Sequence, residues 1–247
     1  MTFEMNADPI AIIEIIRPAE QGRSGPYICR GIDGVLYYVK GRNTGRRSQI
    51  AEWLCAHLAK SLKLPLPPFS LVVIPPDLVA ETPSAMQVVG AGLAFGSKEY
   101  PSALWFEQEQ ISMASDRLRK DILIFDWWVH NSDRLTHNSN LLWDAVRGQL
   151  VVIDHNMAFD PAFSAKEFFN YHIFGQWAGE VFQDLVEHAE YQNRLLNALA
   201  VLDSAIDSIP EDWWWVDDEH TVATDFDLEA VRAILQRCEL ENFWRMV

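Results

Sequence analysis

Cationic residues are scarce in this 247-residue chain: 20 lysines and arginines face 35 aspartates and glutamates, a formal net charge of −15. So acidic a surface repels nucleic-acid phosphates and anionic headgroups, so neither nucleic acid nor a membrane is an expected partner. Cysteine is scarcer still. Cys29, Cys55 and Cys238 are odd in number and far apart, which excludes a disulfide framework or a CxxC metal pair and suits a reducing cytoplasm. Long apolar runs are missing too. The one near the start, residues 10–16, is interrupted by Glu14, so neither a signal peptide nor a membrane span is expected and the chain reads as cytoplasmic. Internal repeats and low-complexity tracts are also absent.

What is present is an ordinary apolar fraction, 49%, and ten tryptophans, more large aromatic surface than a core of this size needs. The first third reads as strands with one helix. Residues 11–16, 27–30 and 35–40 are strand-like, the last two joined across Gly31-Ile-Asp-Gly34, a hairpin signal. Residues 49–62 have helical spacing, with Ile50, Trp53, Leu54, His57, Leu58 and Leu62 on one broad face, until Pro65, Pro67 and Pro68 stop them. Residues 69–74 and 85–89 complete the strands. Beyond them the pattern is mainly helical: 102–129 with a break near 113–115, then 179–209 and 227–243, with Asp225 or Asp227 as a cap. Gly90, Gly92 and Gly96 make a hinge where the character changes. The fold class is therefore α+β, with a strand-rich N-terminal lobe over 1–95 and a mainly helical C-terminal lobe over 96–247.

Within the second part lies Asp133, then Asn138, a short strand, a turn at Arg147-Gly148, and an apolar strand delivering Asp154. Phosphoryl transfer needs these groups. Asp133 is a carboxylate able to accept a hydroxyl proton; Asn138 and Asp154 are hard oxygen ligands suited to Mg2+, with ATP phosphates completing the shell. Asp-x4-Asn alone is weak, because both residues are common in turns; the apolar strand ending in Asp makes it considerably stronger. Upstream, Lys40 ends a strand and Glu52, the only acid between Asp33 and Asp77, sits on the next helix. That order supplies a phosphate-binding cation and the acid that holds it. Gly22, Arg23, Ser24 and Gly25 lie between two strands and could bring backbone N–H groups to phosphate oxygens, though an ordinary hairpin turn fits as well. Lys40, Arg42, Arg46 and Arg47 form the one basic cluster, which reads either as a solvated loop or as a phosphate-facing patch.

These motifs resemble those of the HipA-like kinases in their short stand-alone form and, more remotely, of the phosphoinositide kinases. The resemblance runs through strand–Lys40, the Glu52 helix leading into Leu-Pro-Leu-Pro, Phe125-Asp-Trp-Trp-Val-His-Asn-Ser-Asp-Arg134, and Ile153-Asp-His-Asn-Met-Ala-Phe159. It implies a bilobal protein-kinase-like fold, ATP and Mg2+ as cofactors, and phosphorylation of Ser or Thr in protein substrates. It also implies roles: Asp133 as catalytic base, Asn138 and Asp154 as metal ligands, Lys40 on the phosphates. The chain departs from the pattern after Asp154, where His155-Asn156 replaces Phe-Gly; Asn156 is expected to keep the turn because Asn tolerates left-handed backbone.

Two other readings stand beside this one. A kinase-like module that binds nucleotide without transferring phosphate would account for the weak glycine loop. A metal-dependent hydrolase would use His130, His137 and His155 near Asp133 and Asp154, although no HExxH-type spacing supports it. The acceptor is open between a protein hydroxyl and a small molecule, and so is any inhibitor protein. Ser24 is a candidate autophosphorylation site. Trp127 and Trp128 are expected in the core, and Trp213-Trp-Trp215 in a packed loop.

Overall fold

A computed structural model describes residues 8–20, 25–101 and 103–245. The chain mixes strands and helices and divides into two compact units: Met1–Trp53, Pro67–Pro101 and Asp207–Phe226 form the first, and Leu54–Leu66, Ser102–Ile206 and Asp227–Val247 the second. Among the described residues no helix is long and apolar enough to cross a membrane.

The first unit is built on a closed five-stranded barrel in the order β1 (Ile10–Pro18), β2 (Tyr27–Gly31), β3 (Leu36–Lys40), β5 (Gly92–Lys98) and β4 (Phe69–Ile74). β1 closes it by pairing parallel to β4; the other pairs are antiparallel. Ile12 and Ile15 are both buried although three residues apart, because register shifts in β1 interrupt the two-residue alternation. The β2–β3 hairpin turns where Asp-Gly predicts, with Gly34 at φ 77° and the Asp33 carboxylate accepting from the Val35 amide at 3.1 Å. α1 (Arg46–Ser61) then begins in this unit, and α2 (Pro76–Glu81) follows β4.

Two expectations fail here. Residues 85–89 are not a strand: Ser84–Val89 is a 3-10 helix, braced by Gln87 Nε2, which donates to the Thr82 carbonyl at 2.9 Å. Nor are Gly92 and Gly96 a hinge. Both lie in β5, paired to β3 and β4 on its two sides, and a Cβ on Gly96 would come within 2.4 Å of Val72 Cγ1. Glycine stands there because a neighbouring side chain takes the space.

Residues 207–226 return to the first unit through their aromatics. Trp213 is fully buried, packs edge-to-face on Trp53 with centroids 6.3 Å apart, and donates its indole N–H to the Leu93 carbonyl at 3.0 Å. The Trp53 indole donates to Ser208 Oγ at 2.9 Å. The packed-loop reading of Trp213 holds.

The second unit carries a small antiparallel sheet, β6 (Ala103–Trp105), β7 (Leu141–Asp144) and β8 (Gln149–Val152), and the remaining helices. They are α3 (Asp116–Trp128), α4 (Ala165–Tyr171), α5 (Ala178–Phe182), α6 (Leu185–Leu199), α7 (Leu202–Asp207), whose last residue is counted with the first unit, and α8 (Leu228–Gln236). The long helix expected from 102 is shorter, since the chain first adds β6 to the sheet and then makes a 3-10 turn capped by Glu107 and Gln110. Only at Ser115, whose hydroxyl accepts from the Leu118 amide, does α3 start. Residues 179–209 likewise form three helices, and α8 ends at Gln236 in two short 3-10 turns. Asp227 is its cap, accepting from Glu229 and Ala230. Trp127 and Trp128 are core residues, their indoles donating to the Phe243 and Leu235 carbonyls.

Removing a buried tryptophan leaves a large void as well as an unmet carbonyl. Trp213→Ala is expected to destabilise the protein by about 3–5 kcal/mol, read as a lowered urea midpoint.

Candidate functional site

In the first unit, β3 ends at Lys40, which pairs with Phe95 of β5. Lys40 Nζ forms an ion pair with Glu52 of α1; their side chains are only 8% and 3% exposed. Gln49, one turn before Glu52, donates its side-chain amide to the Lys40 carbonyl at 2.7 Å. The strand-end lysine and the lone helix acid of the sequence therefore meet in a buried pair, and the basic cluster is no solvated loop: Arg46 is buried as well. Of the glycine-containing loop, Gly22, Arg23 and Ser24 lie outside the described residues. Gly25 is described, at φ 60°, with its carbonyl held by Asn43 Nδ2 at 2.7 Å.

In the second unit the loop after α3 is organised by groups that sequence reasoning assigned no role. Asp126, near the end of α3, is fully buried. Arg134 presents its guanidinium edge to it: Nε bonds Oδ2, and Nη2 reaches Oδ1 at 3.3 Å. Asn131 adds its side-chain amide to Oδ1 at 2.8 Å, and His172 Nε2 lies 3.1 Å from Oδ2. The Phe174 amide donates to His172 Nδ1 at 3.1 Å, so the proton resides on Nε2 and points at the carboxylate. Burial alone would raise the Asp126 pKa; the Arg134 charge, followed by His172, outweighs it and holds the carboxyl well below the usual range.

Arg134 also donates Nη1 to three carbonyls, those of Asn140 at 2.6 Å, Ser139 at 3.2 Å and Ile153 at 3.2 Å. The last belongs to the residue immediately before Asp154. One guanidinium thus fixes the loop holding Asp133 and the strand end holding Asp154. The signals available in sequence were an acid inside the apolar stretch of α3 and an arginine directly after Asp133.

The Asp133 carboxylate accepts from Asn138 Nδ2 and Asn140 Nδ2, both at 3.1 Å and both on Oδ2. The Leu135 amide bonds the Asn138 carbonyl at 2.9 Å and the Asn138 amide returns to Leu135 at 3.1 Å, a tight turn that brings the two ends of Asp-x4-Asn together. Because Asn138 turns its amide nitrogen to Asp133, its carbonyl oxygen points away from that carboxylate. Asn140 was missed; it lies two residues past Asn138 and takes a left-handed φ of 48°. β7 and β8 pair as the hairpin that was expected, with Gly148 at φ 64° in the turn.

Asp154 itself is left-handed, at φ 58°, and its Oδ1 accepts from the Asn156 amide at 3.4 Å. The expectation for this turn is corrected in detail: the strained residue is Asp154 and not Asn156. Five residues on, the Phe159 amide bonds the Val129 carbonyl at 2.7 Å, so the segment closes back on the end of α3.

The three histidines of the hydrolase reading do not converge. His130 stacks on Phe163 with centroids 4.1 Å apart, His155 lies edge-on to Phe125, and His137 is exposed. Among the described residues no three His, Cys, Asp or Glu side chains are grouped so as to hold a metal ion. Asn138 and Asp154 offer one amide oxygen and one carboxylate, donors harder than a transition metal prefers.

The barrel thus bears a buried Lys–Glu pair, and the helical unit bears an Asp–Asn loop and a hairpin with Asp154 two residues beyond it. The family profile described as HipA-like kinase matches residues 12–247, and the chain belongs to that family. Among solved structures it is similar to a proinflammatory kinase of Helicobacter pylori, CtkA, at 12% identity and a TM-score of 0.44, covering 94% of this chain and 95% of that one. No curated protein sequence matches the chain.

Two measurements test this anatomy. Arg134→Met strands the Asp126 charge in the core and is expected to cost about 3–5 kcal/mol in a denaturant titration; adding Asp126→Leu to that variant should recover part of the loss. The second is acid sensitivity. Burial, then the Arg237 charge, lowers the pKa of His130 to about 3; burial, then the Lys60 charge, lowers His57 to about 4; and burial lowers His172. Each folded pKa lies below the unfolded value of about 6.5. Their contribution is therefore complete above that pH and is lost as the pH falls toward the folded values. The melting temperature should fall from pH 7 to 4, and His130→Asn, which tolerates the same φ, should flatten that fall.

Proposed function

We propose that this HipA-like kinase is an ATP- and Mg2+-dependent phosphotransferase that phosphorylates Ser or Thr hydroxyls of a protein substrate. The observation that carries the reading is the bond from Asn138 Nδ2 to Asp133 Oδ2, which orients a proton-accepting carboxylate and a metal-facing amide oxygen with one contact. In this reading Asp133 accepts the proton of the acceptor hydroxyl on Oδ1, the oxygen that the two asparagine amides leave aside. The hydroxyl oxygen forms its bond to the γ-phosphorus as the bond to the β,γ-bridging oxygen breaks, and ADP carries away the released charge. Asn138 Oδ1 and the Asp154 carboxylate would hold Mg2+, which when bound neutralises phosphate charge. Lys40, held by Glu52, binds phosphate oxygens. Gly22, Arg23, Ser24 and Gly25 would cover the phosphates with backbone N–H groups.

A protein acceptor is favoured by the family, and the acidic surface disfavours an anionic membrane as the source of the hydroxyl. Retention of Lys40, Glu52, Asp133, Asn138 and Asp154 together supports activity over a nucleotide-binding module without transfer.

The test is incubation of the purified chain with Mg2+ and γ-labelled ATP, beside Asp133→Ala and Asp154→Ala variants, following label into protein and inorganic phosphate. Transfer is expected from the parent chain and should fall by roughly 10²–10⁴-fold in each variant. Mg2+-dependent thermal stabilisation by ATP that disappears in Asp154→Ala, without any transfer, would favour the inactive module. Neither binding nor transfer would sink the proposal.

A further inference from the structure

Two asparagines hold Asp133, and they are not equivalent. Asn138 makes one contact, from Nδ2 to Asp133 Oδ2 at 3.1 Å, and is only partly buried. Asn140 is 1% exposed. Its Nδ2 bonds the same carboxylate oxygen at 3.1 Å and also the Asp133 main-chain carbonyl at 3.2 Å. A primary amide carries two N–H donors, so both donors of Asn140 are engaged by one residue. Both atoms it faces are acceptors, which requires that its nitrogen, and not its oxygen, be turned to Asp133. A contact to side chain and main chain together closes a ring through the Cα–Cβ and Cβ–Cγ bonds of Asp133, and rotation about either would break it. The single contact from Asn138 imposes no such closure.

Asn140 is itself anchored. It directly precedes β7, and its carbonyl accepts from Arg134 Nη1 at 2.6 Å and from the Ile153 amide at 3.2 Å. Ile153 leads into Asp154, so the residue that grips Asp133 takes its own position from the strand end that carries Asp154. Its φ of 48° is left-handed, a conformation Asn adopts more readily than most residues. Backbone and amide thus both call for asparagine at 140, although Asp-x4-Asn ends at 138.

We propose that Asn140 is the positioning residue of the Asp133 carboxylate, which leaves Asn138 to serve the metal ion. This role rests on the phosphotransferase reading above. Asn140 keeps Oδ2 engaged and Oδ1 turned to the acceptor hydroxyl, and it ties that orientation to the strand end before Asp154. Its effect falls on the transfer step and not on the binding of Mg2+.

The test uses the purified full chain beside Asn140→Gly, Asn140→Asp and Asn138→Ala. Label from γ-labelled ATP is followed into protein and inorganic phosphate across a range of Mg2+ concentrations, and Mg-ATP binding is measured calorimetrically. Glycine keeps the left-handed φ and removes both donors. Aspartate keeps the φ and the shape but sets a second carboxylate against Asp133, and it serves where glycine loosens the turn. Each Asn140 variant is expected to lower the maximal rate about tenfold to hundredfold, with the Mg2+ requirement and Mg-ATP affinity unchanged. Asn138→Ala should instead raise the Mg2+ requirement. A maximal rate equal to the parent's in both Asn140 variants would overturn the role. So would a loss that added Mg2+ restores, because Asn140 would then act through the metal. A loss matched by lost Mg-ATP binding and a lowered melting temperature in both variants would also overturn it, leaving Asn140 a structural residue only. A parent chain that transfers no label would remove the phosphotransferase reading and this role together, whereas an active parent beside unaffected Asn140 variants removes the role alone.

Discussion

The loop that carries Asp133 depends on a single desolvated ion pair, Asp126 with Arg134. Burying both charges is costly, and their attraction offsets the cost only when the remaining donors and acceptors are met. Here they are largely met: the carboxylate receives Asn131, His172 and two guanidinium nitrogens, while the third guanidinium nitrogen serves three carbonyls. Those carbonyls lie just before the sheet on one side and just before Asp154 on the other. Loop and strand end cannot move independently while that contact holds. The pair's value lies in geometry more than in stability, and it explains how a non-glycine residue, Asp154, is kept at a left-handed φ that it would otherwise leave.

The first unit repeats the device on a smaller scale. Lys40 and Glu52 are both buried, and Gln49 ties the Lys40 carbonyl to α1, so strand end and helix are joined through side chain and backbone together. Trp53, the residue after Glu52, is wedged by Trp213, Phe69 and Phe95, all edge-to-face on its ring. A helix fixed by a large aromatic next to its buried acid has few rotations left to it. The aromatic excess in the composition is thus accounted for largely by packing: of the ten tryptophans, Trp53, Trp127, Trp128, Trp143, Trp213 and Trp244 are buried.

Local signals were legible in the sequence and non-local ones were not. Lys40 before a helix with one acid, and Asp133, Asn138 and Asp154 around an apolar hairpin, can be read because each depends on order along the chain. The β2–β3 turn and the Asp227 cap can be read for the same reason. The burial of Asp126 cannot, since its partners Arg134 and His172 are brought to it by turns whose shape no spacing encodes. The strand β6 has only three residues and takes its conformation from pairing with β7, so helix formers in 102–115 misled. Gly92 and Gly96 looked like flexible punctuation, but one of them is there for steric room. The membership of 207–226 in the strand-rich unit is set by where Trp213 is buried, a property that composition marks as apolar without saying against what.

Charge placement gives these local features their consequence. Among the described residues Lys40, Arg46, Arg119 and Arg134 are buried out of only 20 basic residues in the chain, whereas Glu52, Asp126 and Asp144 are the buried acids out of 35. The scarce cations are drawn inward in greater proportion, and the surface they leave is more negative than the formal charge suggests. A phosphate approaching such a protein is repelled at a distance beyond the Debye length of about 10 Å only weakly, and more strongly inside it. Capture must then come from cations that act at contact in a low-dielectric setting, where each is worth more than it would be in water. Lys40, buried against Glu52 at the end of β3, is a group so placed. Under the proposed phosphotransferase reading, recognition of phosphate is concentrated in few buried cations, which gives up fast electrostatic steering and gains discrimination among anions at contact.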